Sequence, residues 1–359
     1  MDVLAPLSAA AQKSASALAR FGEHFTARLK QQSETITDKK QREINTINID
    51  ADRFRKFKGK LDDSLDVVSN TITRTEGLRS QLNGLILTVN NAQADPKADE
   101  GAEGYRLAFN SILNQMRDVA GKARVSTNLL GNDGSLGLRY PSDPSGTAQT
   151  LRGINLVNDY YIIDSEGKHF KPERTLNLIR QQSHDPEAPS DVPTENYANL
   201  DTGVRLDRLS GQAINFTLKP GNAGKTRFSG TLVREGPGIL DPWLYDNFAT
   251  PEGRNRALAD LEAAKSVLDF EIRRYGAAKS TIEYQRNQAN SKIKQADFAI
   301  EDISIEQAQS IRLVKAGMAR ESAVLASSLE HAQLIRREYT KIFGGNNNPL
   351  IKNLLDISV

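Results

Sequence analysis

The 359-residue chain has no cysteine, one tryptophan and only 6% aromatic residues. Without cysteine it has neither disulfides nor thiolate chemistry, which suits a protein that crosses compartments or functions outside the cell. The scarcity of aromatic residues, with 38% hydrophobic residues in all, favours elongated packing over a large globular core. Charged side chains nearly cancel at +2, so the overall charge indicates neither a nucleic acid nor an anionic membrane as partner.

Signals for membrane insertion are also missing from the sequence. No stretch approaches the roughly 20 apolar residues that a membrane-spanning helix needs. Residues 1–11 carry Asp2 and no basic segment, so we find no cleaved secretory signal there. We therefore expect no membrane insertion, and expect any export to use a route that needs no cleaved signal.

Candidate sites for chemistry are weak. The four histidines, His24, His169, His184 and His331, are scattered, and none has a second ligand at the spacing of a metal site. The segment 221–226 ends like a phosphate-binding loop, but the first glycine of that motif would fall on Lys219. We predict no catalytic residue, no cofactor and no metal site.

One short segment, residues 53–60, interleaves basic residues with Phe54 and Phe57. Such a pattern occurs in patches that bind nucleic acids or membrane surfaces. It also fits the start of a helix whose phenylalanines pack while its basic side chains face solvent. We prefer this second interpretation and predict no nucleic-acid partner.

The strongest pattern is a repeat of apolar residues every seven positions in both halves of the chain. The C-terminal row is Leu261, Leu268, Tyr275, Ile282, Ala289, Ala296 and Ile303. The N-terminal row is Leu61, Val68, Leu82 and Val89, with Leu65, Ile72 and Ile86 four residues after members of that row. Only Thr75 and Arg79 interrupt it. A seven-residue repeat keeps one helix face towards a partner helix, so we predict that the rows form a coiled-coil seam.

Helix boundaries follow from the local sequence. A long helix is predicted over about 52–94, where Asp95 and Pro96 end it. A shorter helix follows over about 103–123. The last helix begins after Thr250, which can cap it, with Pro251 in the first turn, and runs to about residue 343.

Other segments predict different structure. The alternating residues Ile214, Phe216 and Leu218, with Phe228 and Leu232 beyond a glycine-rich turn, indicate a β-hairpin. Polar residues over 34–49 predict a connecting segment, and the prolines within 182–200 predict an irregular surface loop.

The predicted fold class is mainly α: a long antiparallel helical coiled-coil rod formed by the N- and C-terminal segments, with an inserted small β-rich domain. The segments divide the chain in order. They are a terminal helix over 1–45, the first half of the rod over 46–134, the inserted domain over 135–250, the second half of the rod over 251–304, and a terminal helix and tail over 305–359.

Several short segments, in the same order along both halves of the chain, form a set that is informative when taken together. In the N-terminal half these are residues 105–115, Tyr-Arg-Leu-Ala-Phe-Asn-Ser-Ile-Leu-Asn-Gln, and residues 128–133. In the C-terminal half they are Tyr275 with Gly276, Ile282, Arg286, Ala296 with Asp297, Ile303, residues 306–308, Ala319 with Arg320, and residues 325–328. In this order the segments resemble the conserved ends of bacterial flagellins, closest to the alphaproteobacterial type. The resemblance covers about two thirds of the chain and lies in the order of the segments, since no single motif is specific.

The resemblance implies a structural subunit of the flagellar filament, exported through a type III channel and self-assembling outside the cell for motility. Its partners would be copies of itself in a helical homopolymer, other flagellins, hook-associated and cap proteins, and an export chaperone. The terminal helices would pair and drive assembly. The residues assigned to these assembly helices are Leu4, Leu7, Leu18, Phe21, Phe25, Leu29, Ile311, Met318, Leu325, Ala332 and Tyr339.

Three alternatives to the filament subunit remain. Charged residues near the N-terminus, such as Lys39 and Lys40, and the chain beyond the segment 325–328 also fit a hook–filament junction protein. A coiled-coil adaptor or secreted protein that forms no filament would share the helical repeats. An enzyme housed in residues 135–250 would need a concave site with perturbed titratable groups.

Overall fold

A computed structural model describes most of the chain. The described residues are 5–121, 129–131, 137–157, 159–183, 193–219, 221 and 224–343. Side-chain surroundings are described from residue 20 onward within these ranges, except at residues 21, 100, 101, 336 and 339–343.

Two long helices dominate the described residues. The α-helices are α1 (Ala5–Ala94), α2 (Ala98–Gly101), α3 (Glu103–Gly121) and α4 (Pro251–Phe343). Helix α1 ends just before Asp95 and Pro96, as predicted, because a proline disfavours helical geometry in the residue before it. The terminal helix and the helix over 52–94 that the sequence predicted are one continuous helix, since the expected connecting segment at 34–49 is itself helical. That segment has no glycine or proline and is rich in residues that tolerate helix, so polarity alone did not mark a break.

The start of α4 follows the prediction from sequence. Pro251 is its first residue, where its missing N–H would have no partner in the helix. The Thr250 hydroxyl oxygen accepts a hydrogen bond of 3.1 Å from the backbone N–H of Gly253. Thr250 therefore caps the helix by satisfying one of the free donors of the first turn.

Between α3 and α4 the chain forms β-structure. The strands are β1 (Gly137–Pro141), β2 (Ala148–Arg152), β3 (Tyr160–Asp164), β4 (His169–Glu173), β5 (Leu178–Gln182), β6 (Pro193–Asn199), β7 (Val204–Ser210), β8 (Ala213–Leu218) and β9 (Thr226–Arg234). Strands β1 and β2 form a separate antiparallel hairpin. The other seven form a curled antiparallel sheet in the order β6-β5-β4-β3-β9-β8-β7.

The predicted fold class is therefore wrong. The protein consists of two long helices packed together and a substantial seven-stranded antiparallel domain, not a single coiled-coil rod with a small insertion. The predicted hairpin is real, since Phe216 pairs with Phe228 across β8 and β9. The predicted surface loop at 182–200 is wrong over Pro193–Asn199, which forms β6, and residues 184–192 lie outside the described residues.

Aromatic side chains pack on the core-facing side of the sheet. Phe170 and Phe228 lie with ring centroids 4.7 Å apart, and Phe216 contacts Trp243 at 5.9 Å. Trp243 belongs to a short 3₁₀ segment, Pro242–Phe248, that leads into α4. This segment joins the core of the sheet to the helices, so the two share one hydrophobic core.

The chain divides into two compact units. We call residues 55–290 the core unit, and residues 1–54 together with 291–359 the terminal unit. The core unit contains α3, all nine described strands and the adjoining parts of α1 and α4. The five segment boundaries predicted from sequence are not tested by this division and stay predictions.

Candidate functional site

Helices α1 and α4 lie side by side and antiparallel in the core unit. Gln93 contacts Asn255 at 3.3 Å and Arg79 contacts Asp269 at 3.2 Å. Further along, Asp62 pairs with Arg286. From one pair to the next, the residue number falls along α1 by as much as it rises along α4. The register of the two antiparallel helices is therefore constant through the core unit.

The heptad residues of the core unit lie in the contact between α1 and α4 and are buried to different extents. The fully enclosed members are Leu61, Val68, Leu82, Val89, Leu261, Leu268, Tyr275, Ile282 and Ala289. Leu65 is also buried, whereas Ile72 and Ile86 are only half-buried. In the terminal unit, Ala296 and Ile303 are half-buried.

A row that sequence reasoning missed is buried more deeply than Ile72 and Ile86. It lies three residues after the first row, and its members are Ser64, Thr71, Leu78, Leu85 and Ala92. The hydroxyls of Ser64 and Thr71 each donate to the carbonyl four residues earlier, at 2.7 Å. Because their polar atoms are satisfied within α1, these two residues can occupy core positions.

Thr71 also holds a separate piece of chain. Its hydroxyl accepts a hydrogen bond of 3.0 Å from the backbone N–H of Leu129. Leu129 and Leu130 are fully buried, and Leu130 forms an isolated β-bridge with Ile154. The segment 128–133, singled out in the sequence for its resemblance to flagellins, thus contributes core residues at 129–130, although residues 128, 132 and 133 lie outside the described residues.

The terminal unit also pairs α1 with α4. The ammonium of Lys40 contacts Glu306 at 2.8 Å and Glu43 at 3.1 Å, and these contacts raise the pKa of Lys40 and lower that of Glu306. Along α1, side chains at three- and four-residue spacing, including Phe25 and Leu29, are half-buried. The two helices therefore turn one face towards each other.

This pairing encloses very little. Among the terminal-unit side chains that the structure describes, only Ala51 and Met318 are buried. Large apolar side chains of α4 remain exposed in the same unit: Phe298, Ile305, Leu313, Val324, Leu325, Leu329, Leu334 and Ile335. A two-helix pair with so small a core gains little free energy from burial.

The other predicted assembly residues have mixed positions. Ile311 is half-buried and Ala332 is exposed. Leu4 lies outside the described residues. The side-chain surroundings of Leu7, Leu18, Phe21 and Tyr339 are likewise outside what the structure describes, although these four residues belong to α1 or α4.

A second feature of the core unit is a buried ionic network between α3 and the sheet domain. Asp241 accepts hydrogen bonds from Arg117 and Tyr160, each at 2.9 Å, and pairs with Arg174. Burial alone would raise the pKa of Asp241, but Arg174 and Arg117 hold it well below its ordinary value. Asp241 is therefore a buried carboxylate that stays ionised.

A second carboxylate completes the connection. Asp201 accepts from Arg106 at 2.6 Å, from Asn110 at 2.8 Å and from Asn177 at 2.8 Å. Arg106, Asn110 and Arg117 lie on one face of α3, separated by one and by two helical turns. This polar face of α3 attaches the helix to the sheet domain through two carboxylates.

The segment beside this network has an unusual backbone. Asp246, Asn247 and Phe248 are three consecutive residues with φ of 54°, 50° and 67°. Residues with side chains adopt this left-handed region at a cost of about 1–3 kcal/mol each, and such conformations cluster at functional sites. Here the segment is held by Phe248, which packs 5.0 Å from Phe109, and by Thr250, whose hydroxyl donates to Asp246 at 2.9 Å.

Among the described residues, no group of three histidine, aspartate or glutamate side chains could hold a metal ion. His169 is half-buried beside Tyr161, His24 and His331 are exposed, and His184 lies outside the described residues. None of the described helices has an apolar stretch of membrane-spanning length.

Comparison of the sequence with models of known protein families, and separately with curated proteins, found no match.

Proposed function

We propose that this chain is a self-assembling structural subunit of the flagellin type, which forms the bacterial flagellar filament outside the cell. The observation that carries the proposal is the terminal unit, where helices pair but enclose only two described side chains and leave a series of large apolar residues exposed. Large apolar side chains left exposed along one helix are a feature of interaction sites. Copies of the same chain supply the complementary surface, as in symmetric assemblies built from one repeated contact.

The outer face of α4 supports the same function. Phe270 and Tyr284 of the core unit, and Phe298 and Ile305 of the terminal unit, are 58%, 64%, 65% and 49% exposed. In the core unit, Phe270 and Tyr284 lie two residues after the buried Leu268 and Ile282, and so on the opposite face of the helix. In the sequence of the terminal unit, Phe298 and Ile305 keep the same seven-residue spacing. This second apolar row is available for a helix from a neighbouring subunit.

The partners follow from the resemblance of the chain ends to flagellins. They are other flagellins, hook-associated and cap proteins, and an export chaperone, with type III export leading to an extracellular location and a role in motility. The composition is consistent with this route, since the chain contains no cysteine that could be oxidised outside the cell.

A matched pair of substitutions tests the proposal. Leu313 in the terminal unit is 74% exposed and Leu176 in the core unit is 60% exposed, so Leu→Asp at either position should leave folding unchanged. After salting-out, negative-stain electron microscopy should show long fibres for the parent and for Leu176→Asp. Leu313→Asp should form none, because the charge would be buried at the contact between copies. Fibres from Leu313→Asp that match the parent would refute the proposal.

A hook–filament junction protein is the second candidate function. The charged residues of the terminal unit favour it. One of them is Lys40, which pairs with Glu43 and Glu306. A junction protein would stop at short assemblies, whereas a filament subunit would continue to grow. The length of the assemblies formed by the pure protein under the same conditions separates the two.

A further inference from the structure

A cleft of about 200 Å³ lies between α3 and the sheet domain of the core unit. Helix α3 contributes Asn110, Asn114 and Arg117 to one wall. The opposite wall includes Asn177 and the strained residue Asn247. The cleft is thus lined by four side-chain amides from three separate parts of the chain.

The charges around this cleft are already balanced. Its two carboxylates, Asp201 and Asp241, each accept three hydrogen bonds, and both are paired with arginines. A charged ligand would have to compete with these buried pairs. The cleft therefore favours a neutral ligand.

The amides retain hydrogen-bonding capacity of both kinds. Asn110 and Asn177 use their NH₂ groups on Asp201, and the structure shows no described donor for their carbonyl oxygens. Asn114 uses its carbonyl oxygen as the acceptor for Arg117 at 3.1 Å, and no described acceptor contacts its NH₂ group. The cleft therefore offers two amide oxygens as acceptors and one amide NH₂ group as a donor. A ligand with hydroxyl groups can bond to all of them, because each hydroxyl both donates and accepts.

The volume of the cleft and its apolar lining residues further restrict the class of ligand. Pockets for drug-sized molecules measure about 300–1,000 Å³, so the volume of this cleft admits about one ring. Leu107, which is 53% exposed, lies at the rim, and Leu200 and Pro242 line the wall. We propose that this cleft binds a single neutral sugar ring, free or at the end of a glycan, with the amides contacting its hydroxyls and Leu107 contacting its C–H face. The inference does not depend on self-assembly.

The backbone strain beside the cleft supports a binding role. The left-handed turn at Asp246, Asn247 and Phe248 places Asn247 in the wall. Strained backbone conformations of this kind cluster at active sites and ligand-binding sites.

Saturation-transfer NMR on the full chain tests the proposal. The probes are glucose, galactose, mannose and N-acetylglucosamine as free sugars, their methyl glycosides as stand-ins for a glycan end, and inorganic phosphate as a charged probe. At least one neutral sugar should show transfer that phosphate does not displace. Retained transfer to its methyl glycoside indicates a glycan end, and transfer to the free sugar alone indicates a free monosaccharide. Absence of transfer to every neutral sugar at 10 mM (roughly the weak limit of useful affinity) would overturn the proposal.

Variants on α3 place the signal in the cleft. Asn114→Ala should weaken binding at least tenfold, because it removes the amide that faces the ligand. Gln115→Ala, at the next residue and exposed, is the matched control and should bind as the parent does. If Asn114→Ala fails to keep the parent melting midpoint, Leu107→Ala serves in its place. Binding that is the same in the parent, the cleft variant and the control would also overturn the proposal.

Discussion

At the scale of single residues, the most consequential positions are those where a side chain has no access to water. Ile282 is fully enclosed in the contact between α1 and α4, although only two turns of α4 separate it from the end of the core unit. Its neighbour Tyr284 faces the opposite way and is 64% exposed. The same helix therefore offers a buried and an exposed site two residues apart.

We predict that Ile282→Asp lowers the free energy of unfolding by about 3–5 kcal/mol, because it places an unpaired charge in an apolar contact. Tyr284→Asp is the matched control and should change it by less than about 1 kcal/mol. Urea unfolding followed by circular dichroism gives both values. Equal midpoints for the two variants would contradict the buried contact.

The buried carboxylate of Asp241 should make the stability of the protein depend on pH. Its pKa is lower in the folded protein than the ordinary value of about 3.9, because Arg174 and Arg117 outweigh the effect of burial. A depressed folded pKa contributes stability that is present above about pH 4 and is lost as pH falls towards the folded pKa. Asp241→Asn should thus cost about 3–5 kcal/mol at pH 7, and its difference from the parent should shrink between pH 4 and pH 2.

Asp63→Asn is the control for this experiment, since Asp63 is an exposed aspartate of α1 in the same unit. Its difference from the parent should be small at every pH. Unfolding by urea at pH 7, 5, 3.5 and 2.5 measures both variants. A difference for Asp241→Asn that stays constant across this range would show that the buried ion pairs do not stabilise the fold.

At the scale of elements, the start of α4 is fitted closely to the segment before it. A Cβ on Gly253 would collide with the backbone carbonyl of Tyr245, whereas a Cβ on Gly276 would meet nothing within 4 Å. Tyr245 is fully buried, and its hydroxyl donates to Asp260 at 2.9 Å. The first turn of α4 therefore leaves no room for a side chain at Gly253.

Two glycine substitutions in α4 should accordingly have opposite effects. Gly276→Ala should raise the free energy of unfolding by about 0.5–1 kcal/mol, because alanine favours helix over glycine. Gly253→Ala should lower it by about 1–3 kcal/mol, since the backbone has to shift to admit the methyl group. Differential scanning calorimetry reports the shifts in melting temperature. A stabilised Gly253→Ala would show that the close approach to Tyr245 does not exist.

The helices were predictable from sequence because their signals are local. The proline after Ala94 and the cap at Thr250 act within a few residues, and the seven-residue repeat extends over many turns. Burial of Thr71 was not predictable, since it depends on hydrogen bonds to Val67 and to the distant Leu129. Isoleucine is more hydrophobic than threonine, so the sequence pattern places Ile72 in the seam instead of Thr71.

The sheet was largely missed because its information is non-local. Strands such as β4 and β5 have five residues each and include Pro172 or a run of polar residues, so their alternation is too short to recognise. Pairing of β3 with β9 joins Tyr160 to Arg234 across the whole domain. Of the proposed sugar-binding cleft, the sequence predicted only the helix that carries Asn110 and Asn114, because the opposite wall comes from residues far apart in the chain.

At the scale of the whole molecule, the two units differ in how completely they bury apolar surface. The core unit has a hydrophobic core shared by helices and sheet, with fully enclosed aromatic residues such as Trp243 and Phe109. The terminal unit has only Ala51 and Met318 buried among its described side chains. Burial is the main favourable term in folding, so the core unit can be stable alone. Under the proposed function, the terminal unit would gain its stability from association with other copies.

The most direct measurement compares the full chain with a chain that lacks residues 1–45 and 305–359. Negative-stain electron microscopy after salting-out, with circular dichroism of the same samples, reports assembly and folding together. We predict that the full chain forms fibres, and that the shortened chain keeps a cooperative melting transition but stays monomeric. Fibres from the shortened chain would contradict assembly through the terminal unit.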